Sequence, residues 1–172
     1  MNLRALVAEI PGAILLKHLL TGEEHGFHND PIFRRLIIEM IERLPITSFM
    51  ETGTGLGDST LFVGRANPEL AVFTCEFSRQ RYWHSKIRLR RWRNVEVSHG
   101  SSPEFLRDLL RKPQIAEFPL VFLDAHWYDY WPLEDELEIL TAKVNKMIIV
   151  IDDFQVPGQP QFGFDVGGGR QL

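Results

Sequence analysis

Apolar and polar positions along this chain keep switching between two periods, one near 3.6 residues and one of short continuous apolar runs. After Pro31, the residues Ile32, Leu36, Ile37, Met40 and Ile41 recur at helical spacing. Asn29 or Asp30 stands where a cap belongs, and Pro45 ends the segment. The run 46–50 then predicts a strand leading into the glycine turn Glu51-Thr52-Gly53-Thr54-Gly55-Leu56-Gly57. A helix follows from Asp58-Ser59-Thr60 and is broken by Asn67-Pro68. The same alternation continues with a strand over 71–77, a basic helix over 79–93 and a strand over 95–98. The turn Gly100-Ser101-Ser102-Pro103 then leads to a helix over 105–110. A strand over 120–123, a helix over 132–142 and a strand over 147–151 complete the series. The acids Glu134, Asp135 and Glu136 fall in the first turn of that last helix, where its dipole favours negative charge.

Strands separated by crossover helices predict an α/β fold: a doubly wound, mainly parallel sheet with helices on both faces. Ligands of such sheets bind outside the carboxyl ends of the strands. The residues expected there are 51–57, Glu76, 100–102, Asp124 and Asp152-Asp153.

Composition adds exclusions. The 172 residues are 44% hydrophobic and 24% charged, enough apolar content for a core and too much for a disordered or coiled-coil chain. A net charge of -4 argues against a dedicated nucleic-acid binder. The single cysteine, Cys75, excludes an internal disulfide framework and a multi-cysteine zinc site, which makes a reducing, cytoplasmic setting the expectation. The apolar stretch 3–20 is interrupted by Arg4, Glu9, Pro11 and Lys17. It reads as an amphipathic segment that packs on the domain or a partner, so no membrane association is expected. Three parts are expected: a helical segment over 1–45, a ligand-binding core over 46–156 and a Gly/Pro-rich tail over 157–172.

The candidate chemistry begins at the turn. Glycines at 53, 55 and 57 let the backbone approach a ligand closely. In the dinucleotide-binding fingerprint the third glycine would fall at Asp58, and an acid there would repel a phosphate. A ligand with an amine and a hydroxylated ribose fits better. Glu76, 19 residues after Gly57 and at the end of the second strand, can accept hydrogen bonds from both ribose hydroxyls.

With these residues in view, the stretch 46–154 resembles the class I S-adenosylmethionine-dependent methyltransferases. The turn over 51–57 resembles their first motif and Glu76 their ribose-binding acid. Val121-Phe122-Leu123-Asp124-Ala125-His126-Trp127 is similar to the fourth strand and metal loop of catechol O-methyltransferase. Ile149-Val150-Ile151-Asp152-Asp153-Phe154 is similar to a motif of the macrolide-sugar O-methyltransferases. The resemblance implies a Rossmann-like methyltransferase fold and S-adenosylmethionine as cofactor. It implies cofactor contacts from Glu51, Gly53, Gly55, Gly57, Ser59, Glu76, Ser102, Asp124 and Trp127. The acceptor it implies is a small hydroxylated molecule, such as a sugar or natural product.

In the usual strand order of that fold, Asp124 and Asp152-Asp153 end neighbouring strands. Three converging carboxylates call for a cation, and oxygen donors favour Mg²⁺ or Ca²⁺. The catechol enzyme's base is a lysine three positions after its first metal aspartate; here that position is Trp127. His126 is the substitute, acting with Asp124, and Tyr128 and Asp129 stand behind it. The helix over 79–93 interleaves arginines with Tyr82, Trp83 and Trp92. It is expected as a solvated face with an apolar stripe of Tyr82, Ile87 and Leu89, and an RNA methyltransferase is the least favoured reading. A full class I domain adds an antiparallel hairpin after the fifth strand. Here 18 residues follow Phe154, so either the chain is cut short of those two strands, or the sheet ends early and a partner, such as a second copy of the chain, covers its edge. A non-catalytic S-adenosylmethionine-binding interaction protein is the alternative function.

Overall fold

In the computed structural model, residues 26–113, 115–126, 130–152 and 157–159 are described. Helix α1 (Pro31–Arg43) begins where Asp30 accepts hydrogen bonds from the backbone N–H groups of Ile32 and Phe33, so Asp30 rather than Asn29 is the cap. The rest of the series is β1 (Ser48–Thr52), α2 (Asp58–Ala66), β2 (Ala71–Glu76), α3 (Arg79–Leu89), β3 (Val95–His99), α4 (Ser102–Leu109), β4 (Pro119–Leu123), α5 (Leu133–Lys143) and β5 (Ile148–Ile151).

The five strands form one parallel sheet in the order β3-β2-β1-β4-β5. The strand order steps outward from β1 in both directions, which puts the switch point beside the glycine turn. Thr52 stands opposite Cys75 on one side and Leu123 on the other, and Leu123 opposite Ile151. The ends of β1, β4 and β5 are thereby brought level.

One core lies on each face. Met50, Leu106, Val121, Leu123 and Leu140 pack between the sheet and α4–α5. Ile37, Phe49, Val63, Val72 and Phe122 pack on the other face, under α1 and α2. Fully burying one such side chain contributes about 1.5–3 kcal/mol. Phe27 joins the second core through edge and tilted contacts with Phe33, Phe62 and Phe122.

Several boundaries differ from the sequence reading. Strand β1 starts at Ser48 and runs through Thr52, because pairing on both flanks continues to that residue. Glu51 is therefore a strand residue, not part of the turn. Helix α3 stops at Leu89 rather than 93. The Asn94 side chain donates to the carbonyls of Gly64, Asn67 and Leu70, which pins the chain for the return into β3. Its buried positions are Ser85 and Leu89, while Ile87 of the expected stripe is 54% exposed. Helix α4 starts at Ser102, since Pro103 is tolerated in a first helical turn. Cys75 is buried in its strand, as expected. Strand β5 is an edge of the sheet among the described residues and is only half-buried.

Candidate functional site

The glycine turn is built from backbone that only glycine adopts easily. Gly53, Gly55 and Gly57 have φ of 87°, 54° and 83°. Gly53 is also sterically required, because a Cβ there would lie 2.3 Å from the Asp124 carbonyl oxygen. The turn thus seats directly on the end of β4. Gly55 faces open space, leaving its backbone free for close approach by a ligand. The N–H groups of Gly53 and Thr54 both donate to the Cys75 carbonyl, tying the turn to β2 as well.

Glu76, only 6% exposed, braces the turn from the other side. Its Oε2 accepts from the Gly55 N–H at 2.8 Å, and its Oε1 from the Ser78 N–H at 2.7 Å. A carboxylate offers about four lone-pair sites, so it retains acceptor capacity for hydroxyl donors above the turn.

Glu51 points inward. It is fully buried and accepts hydrogen bonds from the Ser59, Thr60 and Thr74 hydroxyls. Thr74 in turn shares a 2.7 Å hydrogen bond with Thr54 of the turn. Burial pushes the Glu51 carboxyl up to about 7, against the three hydroxyls that favour its charged form. Two residues expected at the cofactor, Glu51 and Ser59, are therefore bonded to each other beneath the turn.

Asp58, at the helix start, does not stand as a bare negative charge. Arg88 pairs with it at 2.6 Å and also donates to the Leu56 carbonyl at 2.8 Å, both side chains being largely buried.

On the opposite side of β1, a cleft opens at the ends of β4 and β5. Asp124, His126, Trp131, Glu136 and Asp152 line it. Asp124 is held by its backbone N–H, which donates to the Thr52 carbonyl at 3.1 Å. His126 is exposed. Asp124 and Asp152 share the cleft, as their strand-end positions predict. Asp153, Trp127, Tyr128 and Asp129 lie outside the described residues, and among the described residues no three His, Cys, Asp or Glu side chains converge to hold a metal ion. Asp152 instead takes a histidine: His28 Nε2 lies 2.6 Å from its Oδ2. Ser102 opens α4 and is fully buried.

Three residues of this region escaped the sequence reading. His28 is 124 positions from Asp152 and carried no signal. Arg88 was one arginine among many. Glu136 reads from the sequence as a complement to the helix dipole, yet it shares the buried stripe of α5 with Leu133, Ile139 and Leu140. That spacing was legible and would have marked it as an inward-facing acid. Its carboxyl is 1% exposed and burial pushes it up to about 7.

No family model matches the chain. A rat protein described as a transmembrane O-methyltransferase homolog is 30% identical over 162 residues, covering 88% of this chain. The chain spans 62% of that relative's length. Among solved structures, the O-methyltransferase TomG of Streptomyces achromogenes, in complex with S-adenosylmethionine, superposes with a TM-score of 0.64 at 20% identity. The match covers 94% of this chain and 72% of that one. The O-methyltransferase from Bacillus cereus, in complex with S-adenosylhomocysteine, gives a TM-score of 0.61 at 19% identity over 86% of this chain and 66% of that one. Among the described residues, no helix is long and apolar enough to cross a membrane. The parallel order β3-β2-β1-β4-β5 and these likenesses converge on one fold: the chain has the fold of these solved methyltransferases and is similar in sequence to an O-methyltransferase homolog.

Proposed function

We propose that this chain carries the catalytic core of an S-adenosylmethionine-dependent O-methyltransferase acting on a small hydroxylated molecule, a sugar or natural product. The observation that carries the reading is the joint between the two halves of the site. Gly53 seats against the Asp124 carbonyl, so the turn and Glu76 lie beside the cleft of Asp124, His126 and Asp152. Methyl transfer needs a sulfonium held rigidly next to an acceptor oxygen, and positioning supplies much of the rate. The names of the relatives support O-methylation in the same direction.

In this reading Glu76 receives the ribose hydroxyls, and the open backbone at Gly55 leaves room for the cofactor above the turn. Ser102 stands on the adenine side, with Trp127 assigned there by resemblance. Glu51 acts through the turn, holding α2 and β2 together beneath it, and Ser59 serves as its donor. His126, exposed at the cleft, is the group that takes the acceptor's proton.

Asp124 and Asp152 are two hard oxygen donors on adjacent strand ends in one cleft, a donor chemistry that suits Mg²⁺ or Ca²⁺, with Asp153 as the third candidate ligand. Such an ion, when bound, lowers the pKa of an acceptor hydroxyl. The setting we assign is cytoplasmic.

The test is a calorimetric titration with S-adenosylhomocysteine, run with Mg²⁺ and again with a chelator. Binding strengthened by Mg²⁺ supports the metal-assisted enzyme. Binding indifferent to Mg²⁺ removes the metal from the reading and keeps the cofactor. No binding overturns the enzyme and leaves the methyltransferase-like interaction protein.

A further inference from the structure

The cleft has a feature that metal and acceptor chemistry do not use. Glu136 lines it from α5, is 1% exposed, and its Oε1 has no hydrogen-bond partner among the described residues. The Ser102 and Thr52 hydroxyls lie near this carboxyl and favour its charged form. A buried carboxylate oxygen left open at a cleft is unusual, because stranding such a group costs free energy that native structures generally avoid. It marks a place in the cleft where a ligand can dock.

The surrounding charges say what kind of partner. Asp135 on the same helix, Asp124 on the loop after β4 and Asp152 at the end of β5 are all acids. Among the described residues, His126 lines the cleft with Asp124 and Asp152, and His28 pairs with Asp152. Burial and Asp135 keep the Glu136 carboxyl up at about 7, while the Ser102 and Thr52 hydroxyls offset part of that rise. A carboxyl so placed ionises when a positive charge comes near, and its affinity for that charge is undiluted by water.

We propose that Glu136 is the countercharge of the bound cofactor: its open, buried carboxyl answers the positive charge of S-adenosylmethionine, so the site prefers the sulfonium cofactor to the neutral-sulfur product. This rests on the methyltransferase reading. It assigns Glu136 a discriminating role that helps expel S-adenosylhomocysteine after transfer. The preference arises because only the cofactor brings the additional charge, whereas the adenosine and amino-acid groups are common to both molecules.

The experiment compares S-adenosylmethionine and S-adenosylhomocysteine by calorimetry near pH 7, in two buffers of different ionisation enthalpy, for the wild-type chain and Glu136→Gln. The expected wild-type result is net proton release on binding S-adenosylmethionine and markedly less with S-adenosylhomocysteine. In Glu136→Gln that difference disappears. The variant should bind S-adenosylmethionine about tenfold more weakly and S-adenosylhomocysteine unchanged. Equal weakening of both ligands, or equal proton release with both in the wild type, overturns the proposal. So does the same proton release with Mg²⁺ alone, which would assign the charge to a metal. If the wild type binds neither ligand, the cofactor reading itself falls and this one with it. The buffer comparison needs only the wild-type chain, so a misfolded variant does not block the test.

Discussion

Glu51 and Glu136 lie on opposite faces of the same sheet, and both are buried acids raised to about 7 by burial. Their surroundings differ in one respect. Glu51 is met by three hydroxyls that tie α2, β1 and β2 together under the glycine turn. Glu136 keeps an oxygen open beside a cleft. A satisfied buried acid specifies geometry, whereas an open one is a vacancy that a ligand can fill. A raised pKa alone does not separate the two roles; the count of hydrogen bonds does.

The largest effect that bears on this comparison is pH. The unfolded carboxyls ionise near 4.5 and the folded ones near 7. Between those values the folded chain holds protons the unfolded chain has lost, so these two groups make stability fall as pH rises through that window. The shift corresponds to at most about 3 kcal/mol for each group. Chemical denaturation at a series of pH values checks this, and Glu51→Gln should flatten the slope. A slope unchanged by that substitution would mean Glu51 does not carry it.

Next in size is Glu51→Ala. It strands the Ser59 and Thr60 hydroxyls and should cost about 3 kcal/mol, or about 10 °C in Tm. Glu136→Gln, by contrast, should leave stability within about 1 kcal/mol. If the two variants lose the same stability, the division between a structural and a ligand-facing acid is wrong. Between the two in size is Arg88→Ala. It breaks the 2.6 Å pair with Asp58 and the bond to Leu56, both flanking the turn. A loss of about 1.5 kcal/mol in a thermal melt is expected. An unchanged melt would make the pair incidental.

Much of this fold was legible in the chain. The alternation of periods placed every strand and helix of the sheet to within a few residues, and the glycines marked the turn. The site was legible only in part. Asp124 and Asp152 share a cleft, as strand-end positions predict, while the bond from Ser59 to Glu51 was not foreseen. The pattern Leu133, Glu136, Leu140 held a readable warning that Glu136 faces inward.

The sequence by itself determined the alternating architecture, the parallel sheet and the glycine turn, because these follow from periodicity, proline, glycine and crossover length, all local properties. Only the tertiary structure decided which acid meets which donor. Thr74 lies 23 positions from Glu51, Arg88 lies 30 from Asp58, and His28 lies 124 from Asp152. Contacts at such separations depend on how strands register and helices pack. A carboxylate becomes a strut or a binding group according to whether those distant donors arrive.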